Sequence, residues 1–175
     1  MAELVEPAEF YREEFLAAEL EFGEHGGERI YDRYHEMISD FAAYVRYLMA
    51  DQARPPTEPH RVPSSVFWLV DGTAYIGRVN LRHRLNPRLR RLGGHIGYPI
   101  RPSLRGRGYG NLALALALQR ARGLGLRRVL LVCAENNVAS RRIIDANGDV
   151  LEGAYSVREH SELVLRYWID LRRHD

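Results

Sequence analysis

The chain has 175 residues, 46% of them hydrophobic, with one cysteine and a formal net charge of +2. That is one domain's worth of chain with apolar mass for a core, and it excludes an intramolecular disulfide and a Cys-rich zinc cluster. Charge is two-sided, because residues 1–60 carry 14 acids against 5 arginines while residues 61–175 carry 20 arginines against 9 acids.

The basic half suits a polyanionic ligand and the acidic half a cationic one; all the basic residues are arginine, a side chain fitted to planar phosphate contacts. The seven histidines fall in no ligand-like pairing, so no metal is expected. No apolar run approaches the roughly 18 residues of a membrane span. Glu3, Glu6 and Glu9 break any signal-peptide pattern, and the expected location is cytoplasmic.

A short strand at Leu4 and Val5 opens the chain, and Pro7 suits the first turn of a helix carrying Phe10, Phe15, Leu16 and Leu20 on one stripe. Gly23, Gly26 and Gly27 end that helix. A polar, acid-rich stretch follows, and Asp40 caps a second helix with Phe41, Tyr44, Val45, Leu48 and Met49. Pro55, Pro56, Pro59 and Pro63 stiffen the connection to a hairpin, Val66 to Asp71 and Ala74 to Leu81, turned at Asp71-Gly72.

A basic loop, Arg82 to Arg91, leads into a strand from Gly93 to Ile100. Leu112 to Leu118 alternates Leu with Ala at a strand-like period, yet alanine is the best helix former and poor in strands, so a mostly buried helix over 111–122 is predicted. A β-branched strand at Val129 to Cys133, a helix over Val138 to Ala146 closed by Asn147-Gly148, and strands over 150–157 and 162–169 complete the chain. Trp68, Tyr167 and Trp168 read as core aromatics on strands.

Between the strand ending at Ile100 and the apolar helix lies Arg105-Gly106-Arg107-Gly108-Tyr109-Gly110. Alternating glycines at a strand-to-helix turn expose backbone N–H groups to a phosphate, and the helix adds the positive end of its dipole. No Gly-Lys-Ser/Thr follows and the spacing is not Gly-x-Gly-x-x-Gly, which sets aside the two familiar nucleotide loops. In isolation the hexapeptide also reads as an Arg/Gly-rich surface turn.

Arg105, Gly108 and Gly110 form Arg-x-x-Gly-x-Gly, which resembles the pyrophosphate loop of the GNAT superfamily of N-acetyltransferases, and the element order over nearly the whole chain is similar to that fold. The resemblance implies a single α/β domain over 1–175. Its sheet is mixed and mostly antiparallel, flanked by helices on both faces and splayed at the cofactor site. Acetyl-CoA is the implied co-substrate, with Arg105, Gly106, Arg107, Gly108, Tyr109 and Gly110 on its pyrophosphate. Tyr98 and Ile100 supply backbone contacts to the pantetheine arm and to the developing oxyanion, and Pro99 marks the gap where strands part as a bulge or strand edge. Asn137-x-x-Ser140 looks like the second cofactor motif, although both residues also suit plain helix capping.

Trp68, Arg82-His83-x-Leu85-Asn86, Gly94 to Tyr98 and Arg166 to Ile169 further resemble a smaller branch of predicted acetyltransferases, which names no acceptor. Where many relatives carry a thiolate-protonating tyrosine this chain has Ile144, so no general acid is assigned; a free thiol with pKa near ~8.5 leaves fairly well without one. A lysine-like acceptor needs roughly 4 kcal/mol to free its lone pair unless a base assists. Candidate catalytic residues are His95 and Tyr98 on the strand before the loop, on opposite faces by strand parity, with Glu135 as the runner-up base. His95 also reads as a satisfied core histidine.

The expected reaction is direct attack of an amine, from a small molecule or a peptide, on the thioester in a ternary complex. Glu24, Glu28, Asp32 and Glu36 would draw a cationic acceptor, unless they form only a solvated face. His83 and the arginines of 82–91 are an alternative site for an acceptor carboxylate or phosphate. A non-catalytic CoA-sensing module is the alternative function, a nucleic-acid binder lacks a recognition motif, and a homodimer is left open.

Overall fold

A continuous apolar run from Val66 to Val70, buried toward both faces, lies at the centre of the first sheet. In the computed structural model, which describes residues 1–25, 39–50, 61–148, 150–157 and 161–172, β1 (Glu3–Val5) pairs antiparallel with β2 (Ser64–Asp71), β2 with β3 (Ala74–Arg82), and β3 with β4 (Ile96–Gly97). The second sheet has the order β5 (Arg128–Ala134), β7 (Val164–Asp170), β6 (Val150–Tyr155), all antiparallel. β4 and β5 are the facing margins of the two sheets. No helix among the described residues is long and apolar enough to cross a membrane.

Helices cover both faces. α1 (Arg12–Glu24) and α2 (Phe41–Ala50) pack on one side of β2 and β3, around a fully buried Trp68 that stacks on Phe15 at 4.8 Å between ring centroids. Asp40 caps α2 by accepting from the Ala43 N–H at 2.8 Å. On the other face α4 (Tyr109–Gly123) buries Ala113, Leu114, Ala117, Leu118 and Ala121, a stripe of helical period, against residues of both sheets. The two sheets therefore share one core beneath α4. Between β3 and β4, Asn86 caps a short helix, α3 (Pro87–Arg91), with no apolar periodicity to announce it. α5 (Val138–Asp145) follows β5.

Three expectations need correction. Phe10 and Leu20 are 72% and 58% exposed: Phe10 lies in a 3-10 turn ahead of α1, out of phase with it, and Leu20 lies opposite the buried Ala18 and Phe22. Gly23 is inside α1, whereas Gly26, Gly27, Pro55, Pro56 and Pro59 lie outside the described residues. The strand over 93–100 is laddered only at Ile96–Gly97, with a single further bridge from Gly77 to Ile100. The offset is the same at both places, so Pro99 makes no bulge. It occupies a strand edge and accepts the Arg78 N–H at 3.2 Å without returning a donor.

Candidate functional site

The site begins where β4 and β5 are tied together. His95 donates its backbone N–H to the Leu130 carbonyl at 2.7 Å, and its ring Nδ1 accepts the Leu130 N–H at 2.8 Å. A Cβ on Gly94 would collide with that same carbonyl, so only glycine lets the chains approach this closely. Beyond this tie the strands part, and a cleft of about 460 Å³ opens between them. The ladder to β3 uses the Pro99 carbonyl and the Arg101 N–H. By antiparallel alternation the Tyr98 and Ile100 amides turn the other way, toward the cleft.

At one end of the cleft the chain turns from β4 into α4. Arg101 donates to Glu21 at 2.6 Å and Glu14 at 2.8 Å on α1, and Glu21 also accepts the Ser103 N–H at 3.2 Å. Burial would raise the Glu21 carboxyl, but the bonds from Ser103 and Arg101 hold it below its ordinary value. Arg105 folds back to donate Nε–H to the Ile100 carbonyl at 3.1 Å. Gly106 and Gly108 both take left-handed φ, +75° and +85°, and Gly108 is the N-cap of α4 with no side chain to cap it. The first-turn N–H groups of α4 are therefore free to meet an anion. This uncapped cradle fits a pyrophosphate.

Gly110 lets α4 press on α5, since a Cβ there would meet the Ile143 side chain. Asn137 caps α5 by accepting the Ser140 N–H at 3.0 Å. Ser140 in turn lies 3.1 Å from the Tyr98 hydroxyl, linking helix and strand across the cleft. Burial raises the Tyr98 phenol to about 12, despite the opposing hydrogen bond of Ser140, so it stays protonated near neutrality. Burial also raises the neighbouring Cys133 thiol, and Ser140 opposes that shift too.

Eight of the sequence-predicted residues line the cleft: Tyr98, Ile100, Arg105 and Gly106 on one wall, with Tyr109, Gly110, Asn137 and Ser140 completing it. Arg107 and Gly108 belong to the loop but are not among the lining residues. Leu104, Val132, Ala139 and Ile143 also line it. Sequence reading missed Ala139 and Ile143, which lie one helical turn apart on α5 and were legible from its periodicity.

The two expected bases are elsewhere. His95 is 6% exposed, edge-on to Trp168 at 6.2 Å, with its Nδ1 lone pair committed to Leu130. Burial first, then the charges of Arg82, Arg90 and Arg128, lower its pKa to about 4. This ring is neutral and structural, not a base reaching the cleft. Glu135 is exposed just past β5 and off the lining. Ile144 is 1% exposed in the core.

The Arg82 to Asn86 motif does structural work: Arg82 donates to the Gly93 and Gly94 carbonyls, His83 pairs with Ser65 at 2.8 Å, and Asn86 caps α3. Trp168 is half-buried, not core, with the Arg128 guanidinium 4.2 Å over its ring. Glu24 is exposed at the end of α1; Glu28, Asp32 and Glu36 lie outside the described residues.

By sequence, no curated protein matches the chain. Among solved structures it is similar to the microcin C7 self-immunity acetyltransferase MccE in complex with acetyl-CoA and AMP, at 18% identity and a TM-score of 0.70 over 97% of this chain and 92% of that one. It is similar also to RimL, the ribosomal L7/L12 α-N-protein acetyltransferase in complex with CoA, at 17% identity and 0.68 over 97% and 93%. A third likeness is to yncA, a putative acetyltransferase from Salmonella typhimurium with acetyl-CoA, at 16% and 0.64 over 99% and 95%. These likenesses establish the fold. The model of the acetyltransferase (GNAT) domain matches residues 28–149, more than half of the sequence, and the chain belongs to the GNAT acetyltransferase family.

Proposed function

We propose that this protein transfers the acetyl group of acetyl-CoA to an amine by direct attack in a ternary complex. The observation that carries this reading is the coincidence of an uncapped helix N-terminus, preceded by two left-handed glycines, with a cleft that opens where two strands part. Bound acetyl-CoA supplies an acyl group activated as a thioester.

The chain's own residues do the rest. Loop and α4 amides between Leu104 and Asn111 bind the diphosphate, with Arg105 and Arg107 adding charge. The Tyr98 and Ile100 amides, turned away from β3, hold the arm and polarise the acyl carbonyl where negative charge develops. Asn137 and Ser140 fix α5 as the opposite wall. An amine that reaches the cleft already deprotonated attacks the thioester directly, and turnover then rises with pH toward the acceptor's own pKa.

Small-molecule and peptide amines are both candidate acceptors. Spermidine is named for one structural neighbour, SpeG from Vibrio cholerae, and ribosomal L7/L12 for another. The decisive experiment is calorimetry with acetyl-CoA on the wild type and Gly108→Val. Space around Gly108 is open, so the variant folds, but its φ of +85° is strained for valine. Loss of acetyl-CoA binding supports the loop assignment and unchanged affinity refutes it, while tight binding without turnover of any amine overturns the catalytic reading.

A further inference from the structure

Beside the His95–Leu130 tie, on the face of the sheets turned away from α4, arginines gather in excess of acids. Val129, Leu131 and Cys133 of β5 point into the core beneath α4, so Arg128, Leu130 and Val132 line the opposite face, which Trp168 of β7 shares. The Arg128 guanidinium covers the Trp168 ring at 4.2 Å. Arg166 Nη1 donates to the Arg90 carbonyl at 3.3 Å, which seats the end of α3 against β7 close by. The charges of Arg82, Arg90 and Arg128 all reach the His95 ring.

The acids of this face are already matched. Glu152 takes Arg166 at 2.8 Å and the Trp168 indole N–H at 3.2 Å, and Asp170, across from Arg128 in the ladder, takes Arg172 at 2.6 Å. Arg88, Arg90 and Arg128 are exposed and form no ion pair with a described residue. Like charges held together destabilise a fold, and an anion laid across them relieves the repulsion. We propose that this surface binds the acidic stretch of a polypeptide whose amine enters the cleft. The inference rests on the acetyl-CoA reading above and narrows its acceptor to an amine carried by an acidic peptide.

Chemistry and spacing favour a peptide. A single-stranded nucleic acid stacks its bases on open aromatic faces, but here Arg128 covers Trp168 and the Arg166 guanidinium lies 3.3 Å over Tyr155. Guanidinium groups rather than rings meet the ligand, and their planar forks match carboxylates. Val132 lines the cleft, and Arg128 stands on the same face of the same strand, four residues earlier. At about 3.3 Å per residue the two are about 13 Å apart, the span of about four residues of extended peptide. Acids roughly four to six positions along from the reacting amine therefore meet the arginines, and acids next to the amine do not.

The test measures binding to the full chain, by fluorescence anisotropy, of an eight-residue peptide labelled at its C-terminus, with a free α-amine and glutamate at its fifth to seventh positions, against a twin carrying glutamine there. Wild type should bind the glutamate peptide about tenfold more tightly at low salt, and the preference should vanish at about 1 M salt and in the double variant Arg90→Gln, Arg128→Gln. With acetyl-CoA supplied, the double variant should raise KM for the glutamate peptide while its affinity for acetyl-CoA, measured by calorimetry, stays that of wild type. Equal affinity of wild type for the two peptides overturns this surface and leaves the acetyl-CoA reading intact, as does a preference for a single-stranded oligonucleotide over the glutamate peptide. A wild type that discriminates between the peptides but binds no acetyl-CoA overturns the acetyl-CoA reading and the acceptor role with it.

Discussion

His95 and Leu130 hold one another by two hydrogen bonds, one from the backbone N–H of His95 to the Leu130 carbonyl and one from the Leu130 N–H to the imidazole Nδ1. The side chain does what a backbone carbonyl would do in a regular ladder, at the last point where the two sheets touch before the cleft opens. His95→Ala leaves a buried N–H without a partner, which costs about 1–3 kcal/mol. A corresponding fall in urea midpoint at pH 7 is the expected result.

The same residue sets a pH dependence. Its folded pKa is about 4 against an ordinary value near 6.5. Between those values the unfolded chain binds a proton that the folded chain refuses, so stability is level above pH 6.5 and falls as pH drops toward 4. His95→Gln should flatten that part of the denaturation profile. It should leave the pH dependence of turnover unchanged, and a turnover profile that loses an ionisation in this variant would restore His95 as the base.

Arg101 ties the start of the glycine loop to α1 through Glu14 and Glu21. An ordered loop loses less freedom when a ligand binds, so the anchor works through pre-organisation. Arg101→Met should weaken acetyl-CoA binding by roughly three- to tenfold, consistent with one or two groups newly immobilised on binding. Calorimetry on Arg101→Met and Glu21→Gln checks this, and the two losses should not add, since both break one network.

Much of this was legible along the chain, for reasons that individual residues make plain. The helix over 109–123 was readable despite its two-residue alternation because alanine belongs in helices, and the glycine loop because its spacing is local. The ties that shape the site were not. His95 meets Leu130 across 35 residues, and Arg101 meets its acids across 80 and 87, distances at which sequence carries no pattern. Residue type and a place on the strand before the loop left His95 open as a base or as a core histidine, and residue type read Trp168 as core. Strand parity turns the buried Tyr167 toward α4 and leaves its neighbour Trp168 on the other face, beside His95.

Ile144 occupies the position where relatives were expected to carry a tyrosine, but here it is a core residue. Ile144→Tyr should therefore fail as a restoration. The added ring overpacks the core beneath α5 and lowers stability by about 1–3 kcal/mol, with no gain in turnover. Thermal denaturation beside a steady-state assay checks both halves of this expectation.

Two glycines near the site separate folding from binding. A Cβ at Gly94 strikes the Leu130 carbonyl, a backbone atom that cannot swing away, whereas a Cβ at Gly106 meets nothing within 4 Å. Gly94→Ala must therefore push β4 from β5 at the tie itself, and it should lower the melting temperature sharply and acetyl-CoA affinity with it. Gly106→Ala carries only the strain of a left-handed φ, about 1–2 kcal/mol. That strain falls on an exposed loop, which can relax by giving up the cradle geometry. Melting should change little while the dissociation constant for acetyl-CoA rises about tenfold, the equivalent of 1.4 kcal/mol. Equal effects of both substitutions on melting and on binding would mean that the loop and the tie form one cooperative unit.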